Sequence, residues 1–348
     1  MHHLFGHLRE VHALTPEQYT ERCPGAPLAS EDLVRFLQHE SIAPVDGELR
    51  RNVELFGLEF PASIVPGEDV PAQDEEYLLD DKLSRHLTLS LIEGERVLLV
   101  GPTGLGKSTL IEQLAARLHW PVVRVAASGG LTESDLLGEW VVRDGRTVFN
   151  YGFLPRATQQ GAICLVDEID GMEPEVAFSL HQVMEEGGKL VLLQNGGETI
   201  TPHERFRLVA TANTLGHGDE SGLYTGTKVL NAAFLDRFTS VFELGYMQPE
   251  QEAEVVARRV PECSGKVVEK LVTVAGDVRR ARENDEVFCT FSTRRLIDVA
   301  RKHAQLGDLQ AAFQLALLNR LAPADRQVVS EVCQRHFGAM LEGGEDAL

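Results

Sequence analysis

Eight consecutive residues, Gly101-Pro102-Thr103-Gly104-Leu105-Gly106-Lys107-Ser108, have the types and spacing to hold a polyphosphate. Glycines let the backbone wrap closely round an anion so that several N–H groups converge on it, and a helix starting at the loop's end adds the positive end of its dipole. Lys107 then reaches the β- and γ-phosphates and Ser108 a magnesium ion, with Thr109 the last residue of the nucleotide-binding run. A plain Gly-rich turn carries the same letters, so the flanks decide. An apolar stretch at 96–100 precedes the loop, and a helical pattern follows it.

Two later stretches supply the other parts of a nucleotide-hydrolysing site. Ala162-Ile163-Cys164-Leu165-Val166-Asp167-Glu168 reads as a buried strand ending in adjacent carboxylates, the Walker B form. Successive pleat positions face opposite ways, so the two acids do different work: Asp167 holds magnesium through water, and Glu168 polarises the attacking water as general base. Asp170 reads as a cap or surface residue. The run Arg207-Leu208-Val209-Ala210-Thr211-Ala212-Asn213 ends in an amide that offers both a donor and an acceptor. At the end of a strand beside a γ-phosphate, Asn213 would orient the hydrolytic water.

The elements that must position these groups follow from periodicity. Leu110, Ile111, Leu114, Ala115 and Leu118 share one face of a helix over 108–119, which Trp120-Pro121 stops. A β-branched run follows at 122–126, and the alternation of strand, helix and strand predicts a parallel α/β sheet. Two hairpins are expected, one over 139–149 round Asp144-Gly145 and one over 189–201 round Asn195-Gly196-Gly197. The glycine-rich stretch 214–228 is long for a loop inside a compact domain and reads as functional. Its His217, Asp219 and Glu220 have no helix or strand spacing that would fix a metal, and a subunit-interface or partner loop is the preferred reading. From Pro249 onward the pattern turns helical, over 250–260, 266–283, 292–306, 308–321 and 325–337, with Gly307-Asp308 a stop followed by a cap.

Residues 1–75 form an accessory region and linker. Ser30 caps a short helix carrying Leu33, Val34 and Leu37, Pro61, Pro66 and Pro71 punctuate an extended segment, and acidic residues crowd 68–81. His2, His3, His7 and His12 read as exposed terminal histidines rather than metal ligands.

Composition bounds the rest. With 348 residues, 43% of them hydrophobic, the chain can bury a sizeable core. A net charge of −20 argues against a nucleic-acid groove, since nonspecific affinity comes from Lys and Arg neutralising phosphates, although a local basic stripe is compatible with that total. Five cysteines without a C-x-x-C pair suit a reducing cytoplasm and inert thiols. The start lacks a Lys/Arg-led apolar region and no run approaches a membrane span, so neither a signal peptide nor a membrane segment is expected.

With these motifs in this order the chain resembles the AAA+ ATPases, which implies an α/β P-loop core, a parallel sheet flanked by helices, followed by a small α-helical lid. It places the core at 76–246 and the lid at 247–348, with ATP and Mg²⁺ as ligands. In that family an arginine ending the fourth helix projects into a neighbouring subunit's site. The match is Ala233-Phe234-Leu235-Asp236-Arg237-Phe238, which makes Arg237 the arginine finger; otherwise Arg237 pairs with Asp236 or Glu243. Ser292-Thr293-Arg294 matches the sensor-2 arginine, with Arg295 adjacent. The two hairpins resemble the inserts of the MoxR and magnesium-chelatase clade, which line a central pore or contact a partner.

Closer still, Leu55-Phe56-Gly57, Ile111-Glu112-Gln113-Leu114-Ala115-Ala116-Arg117-Leu118, Phe206-Arg207-Leu208-Val209-Ala210-Thr211-Ala212-Asn213-Thr214 and above all Gly216-His217-Gly218-Asp219-Glu220-Ser221-Gly222-Leu223-Tyr224-Thr225-Gly226-Thr227 are similar to the CobS family of cobaltochelatase ATPase subunits. The similarity departs at Pro102-Thr103 and Leu105 and in the first fifty or so residues. It implies a ring-forming motor, a hexamer, working with a CobT-like partner that carries a von Willebrand A domain. The alternative it implies is a MoxR-type chaperone that activates another metalloenzyme.

Overall fold

Apolar runs of strand length separated by amphipathic helices bury both faces of a parallel sheet. The computed structural model, which describes residues 43–45, 48–63, 69–127, 129–214, 228 and 231–338, has that architecture. The expected helix after Ser30, the four terminal histidines, Cys23 and the inner part of the 214–228 loop lie outside the described residues.

In chain order the first elements are β1 (Ala43–Val45), β2 (Glu48–Leu55) and β3 (Leu58–Ser63), then α1 (Asp81–Ile92), β4 (Val97–Val100), α2 (Lys107–Arg117) and β5 (Val122–Ala126). A short α3 (Glu133–Leu137) runs directly into a hairpin of β6 (Gly138–Arg143) and β7 (Arg146–Tyr151), and α4 (Phe153–Gln160) resumes the helical layer before β8 (Ile163–Asp167). Then come α5 (Pro174–Ala177), α6 (His181–Met184), the hairpin of β9 (Leu190–Leu192) and β10 (Glu198–Ile200), β11 (Arg207–Ala212), α7 (Ala232–Leu235) and β12 (Ser240–Glu243). The C-terminal helices are α8 (Pro249–Arg259), α9 (Gly265–Glu283), α10 (Thr293–Leu306), α11 (Leu309–Ala316) and α12 (Pro323–Phe337).

The central sheet has the order β12-β4-β11-β8-β5. All its ladders are parallel, with Val209 opposite Val97 and Leu165, so the carboxyl ends of β4, β8 and β11 finish side by side. That is where an open parallel sheet presents its ligand site. One apolar cluster, including Leu136, Leu154, Val166 and Ala210, fills one face, and another, including Leu87, Leu99, Ile111, Leu114 and Trp120, fills the other. The lid helices have a core of their own round Leu271, Phe291, Leu296 and Phe313. Both hairpins form as expected, and Gly307 in the left-handed region ends α10 while Asp308 accepts a hydrogen bond from the Ala311 N–H. Among the described residues no helix is long and apolar enough to cross a membrane.

Two expectations need correction. The start of the segment read as extended and punctuated by Pro61, Pro66 and Pro71 belongs instead to an antiparallel meander over 43–63, in the order β1-β2-β3. Pro61 is tolerated because β3 is an edge strand, where a missing N–H leaves no partner unpaired. Phe60 stacks on Trp120 with centroids 4.4 Å apart, which fastens the meander to the core. Where the acidic stretch ends, α1 begins, because Asp80 accepts from the Leu83 N–H while Leu87 and Leu91 bury against the sheet. Second, the helix expected over 308–321 stops at Ala316 and continues as a short 3₁₀ turn over 318–320, which lets Leu317 and Leu318 both enter the lid core.

Candidate nucleotide site

The phosphate loop spans the gap between β4 and α2, and its glycines are dictated by what crowds them. A side chain on Gly101, at φ +155°, would meet the Leu244 carbonyl at 2.3 Å, and one on Gly104, at φ +80°, would meet Ser292 Oγ at 2.5 Å. Neither position admits a Cβ, so the loop is pressed between the residue after β12 and the start of α10. Lys107 is the first residue of α2 and is buried, with Nζ donating to the carbonyls of Gly101 at 2.6 Å and Pro102 at 3.1 Å and to Asn213 Oδ1 at 2.9 Å. Burial pulls the Lys107 ammonium below its usual range, against the pull of Asp170, Asp167 and Glu168 in the other direction.

Ser108 Oγ donates to Asp167 Oδ1 at 2.5 Å, and Thr211 Oγ1 donates to the same oxygen at 2.5 Å. Arg124, reaching across from β5, pairs with Asp167 Oδ2 and with Glu112 Oε1, the latter at 2.9 Å. Burial pushes the Asp167 carboxyl up, but the bonds from Ser108, Thr211 and Arg124 outweigh it and hold the group below the ordinary carboxylate range. Clustered hydroxyl and carboxylate oxygens are the donor set that Mg²⁺ takes, so Ser108 and Asp167 fit that ion. Glu168 is exposed at the strand's end in the left-handed region (φ +55°), and its N–H donates to Thr211 Oγ1 at 3.0 Å. Strain at such a residue persists only where its surroundings hold it, and here Thr211 does so.

Asp170 is corrected by the structure: it is neither a cap nor a surface residue but fully buried. Its Oδ2 accepts from the N–H groups of Asn213 (2.9 Å) and Thr214 (3.0 Å) and from Thr214 Oγ1 (3.2 Å).

A cavity of about 310 Å³ opens beside the loop, lined by Tyr77, Gly104, Thr109, Met247, Arg259 and Arg294 among others. Leu105 and Gly106 also face it, while Thr103 is exposed and outside the lining. Burial pushes the Tyr77 phenol up to about 12, so it faces the cavity as a neutral hydroxyl. Arg259 of α8 is tied back to Asp74, whose own N–H donates to Gln113 of α2 at 2.8 Å. Of the adjacent arginines, Arg294 lines the cavity; Arg295 does not, and pairs with Asp298 at 2.8 Å.

The structure thus brings together the phosphate loop, Lys107, Ser108, Asp167, Glu168, Asn213 and Arg294. Arg237 stands apart from them. Its Nε donates to Glu185 at 2.9 Å, not to Asp236 or Glu243, and its Nη1 to the Ala233 carbonyl at 2.5 Å. Sequence reading missed Thr211, Arg124, Asp170, Tyr77 and Arg259. Thr211 had a signal, since it lies two residues before Asn213 in the run 207–213 that reads as a strand, where alternation puts both on one side.

The two inserted hairpins are bonded to each other. Trp140 Nε1 donates to the Gln194 carbonyl at 2.8 Å, and the Tyr151 hydroxyl to Glu198 at 2.9 Å. Trp140, Val142 and Leu193 nevertheless remain exposed.

Residues 96–238 match the AAA domain of the dynein-related subfamily, and residues 252–336 match the CbbQ/NirQ/NorQ C-terminal domain. The chain is 38% identical over 301 residues to the aerobic cobaltochelatase subunit CobS of Sinorhizobium sp, covering 83% of this chain and 90% of that one. It is 31% identical to the protein NorQ of Paracoccus denitrificans over 65% of this chain and 79% of that one. It is also 30% identical to the denitrification regulatory protein NirQ of Pseudomonas aeruginosa, over 70% and 90% of the respective chains.

Proposed function

The chain belongs to the AAA+ ATPases of the CobS, NorQ and NirQ family, and from that premise we propose a Mg²⁺-dependent motor that forms a homohexameric ring and remodels a partner protein in a cobaltochelatase-like complex. The observation that carries this reading is the 38% identity to CobS, which runs through 90% of that subunit. In the division we propose, residues 1–75 are accessory, 76–246 form the ATPase core and 247–348 the lid. The motor works in the cytoplasm, without nucleic acid or membrane.

Each side chain then has a task. The loop from Gly101 to Thr109 and Lys107 hold the phosphates, and Ser108 and Asp167 would hold the magnesium ion. That ion supplies positive charge against the phosphate oxygens. Glu168 accepts the proton of the attacking water, and Asn213, fixed beside Lys107 at 2.9 Å, orients that water. Arg294 approaches from the lid. Arg237 acts on the adjoining subunit's nucleotide, so hydrolysis requires the ring. The joined hairpins, with Trp140 and Leu193 outward, face the pore or the partner.

The partner in this reading is a CobT-like protein with a von Willebrand A domain. A second reading, a MoxR-type chaperone that activates a different metalloenzyme through such a partner, is favoured by the match of residues 252–336 to the CbbQ/NirQ/NorQ C-terminal domain. Reconstitution with the von Willebrand A-domain protein encoded nearby tests both. A complex that inserts cobalt into a corrin only while ATP turns over supports the chelatase motor. A complex without chelation favours the chaperone, and failure to form any complex sinks both. Mixing Arg237→Ala with parental subunits tests the ring: turnover is expected to fall by more than the diluted fraction, and a fully active monomer would contradict it.

A further inference from the structure

Asp170 is the fully buried carboxylate that the site has not yet used. After β8 the backbone turns sharply, with Glu168 in the left-handed region and residues 169–171 in a 3₁₀ turn, and this swings Asp170 inward beneath the end of β11. Its Oδ2 takes the N–H of Asn213 and both donors of Thr214, and its own carbonyl takes the N–H of Lys228 at 2.7 Å. The carboxylate therefore pins the residue that contacts Lys107, while the peptide of Asp170 holds Lys228, near the far end of the 214–228 stretch. Its second oxygen, Oδ1, is buried and has no hydrogen-bond partner among the described residues. A buried carboxylate with an unused oxygen is costly unless its charge is balanced nearby. Lys107 is near enough to feel it, and Asp170 exerts the strongest pull of any carboxylate on that ammonium.

We propose that Asp170 is a positioning residue for ATP hydrolysis, which holds the Asn213 peptide so that the Asn213 amide meets Lys107 and the attacking water at a fixed place. It is wholly enclosed and acts through Asn213. This rests on the assignment of Asn213 as the water-orienting residue. The chain of contacts is short: Lys107 Nζ to Asn213 Oδ1 at 2.9 Å, then Asn213 N to Asp170 Oδ2 at 2.9 Å. Replacing the carboxylate by an amide keeps the shape but puts a donor where two main-chain donors already point, or else turns its oxygen to them and strips away the charge. Either way Asn213 is held less firmly, and a misplacement of about 1 Å at a reacting centre can cost about 100-fold in rate.

The test is a double-mutant cycle on the full chain with Mg²⁺ and ATP, reading kcat and, with a fluorescent ADP analogue, nucleotide affinity. Asp170→Asn is expected to leave affinity within about twofold and to lower kcat by about 10- to 100-fold. In the Asn213→Ala background the same change is expected to cost nothing further, because the group it acts through is gone. Losses that multiply in the double variant, or parental kcat in Asp170→Asn while Asn213→Ala is slow, overturn the proposal and leave Asn213's role standing. Parental kcat in Asn213→Ala overturns both. Should Asp170→Asn not fold, Thr214→Val removes one donor to the same oxygen and leaves the charge. It is expected to lower kcat about two- to fivefold in the parental background and not at all beside Asn213→Ala, and any other pattern counts against the relay.

Discussion

The core and the lid each bury a carboxylate, and they complete it differently. In the lid, Glu252 takes two bonds from Arg279, both at 2.7 Å, and a third from Thr293 Oγ1 at 2.5 Å, while Arg279 also donates to the Phe291 carbonyl at 2.8 Å and lies 3.7 Å from the centre of the Tyr246 ring. Charge and hydrogen-bond capacity close on one another. In the core, Asp170 spends one oxygen on the main-chain donors of Asn213 and Thr214 and the Thr214 hydroxyl, and leaves the other without a partner among the described residues, its charge acting on Lys107. A closed network makes a frame, and an open one makes a site whose charges answer to what enters it. The lid network frames the start of α10, where Ser292 abuts Gly104 and Arg294 enters the cavity.

The largest effect that tests the difference lies in the core. Glu168→Gln is expected to lower ATP turnover by about 10²- to 10⁴-fold with nucleotide affinity and thermal stability close to parental, because the amide keeps the shape and lacks the basic oxygen. Lys107→Ala, by contrast, should weaken binding itself. Turnover assays beside fluorescent-nucleotide titration separate the two, and a Glu168→Gln protein that hydrolyses at the parental rate would remove the general-base assignment.

The lid prediction has the opposite character. Arg279→Met leaves Glu252 charged and enclosed without its partner, which costs about 3–5 kcal/mol of folding stability when a buried pair is broken from one side. Thermal or denaturant unfolding should show that loss, and Glu252→Leu together with Arg279→Met should recover most of it. The comparison breaks if Arg279→Met is as stable as the parent, since the network would then be no frame.

Legibility divides along the same line. The loop, Asp167, Glu168 and Asn213 could be located because each ends or directly follows a strand whose apolar run announces itself; two-residue periodicity assigns faces only up to the last residue of a strand, Asp167 in β8 and Ala212 in β11, and Glu168 already turns left-handed. Past that residue the rule lapses. Asp170 stands three residues beyond Asp167 on a turn with a left-handed residue, and no spacing rule told that the chain folds it inward. Arg124 alternates with the buried Val123 and Val125, which reads as a solvent-facing position, and only the register that sets Ala126 beside Asp167 brings it to the carboxylate. The meander at 43–63 was hidden by Pro61, whose breaking effect depends on whether a strand is central or at an edge, a fact of topology. Glu252 and Arg279 lie 27 positions apart on separate helices, and pairing at that range is set by packing alone.

The finest test uses two neighbours on one helix. Arg294 and Arg295 begin the same turn of α10, yet Arg294 is exposed toward the cavity beside Gly104, whereas Arg295 pairs with Asp298 one turn along the helix surface. If the start of α10 delivers a charge to the nucleotide, Arg294→Ala is expected to weaken ATP binding or turnover by about tenfold, the worth of one charge-assisted hydrogen bond. Arg295→Ala gives up a half-exposed pair worth at most about 1 kcal/mol, and less after screening, so its turnover should stay within about twofold of the parent. Steady-state kinetics of the two variants at several ATP concentrations decide it. Equal losses would mean that the helix presents both guanidiniums to the site. A loss confined to Arg295→Ala would reverse the assignment and show that Asp298, which also lines the cavity, had been holding the working arginine.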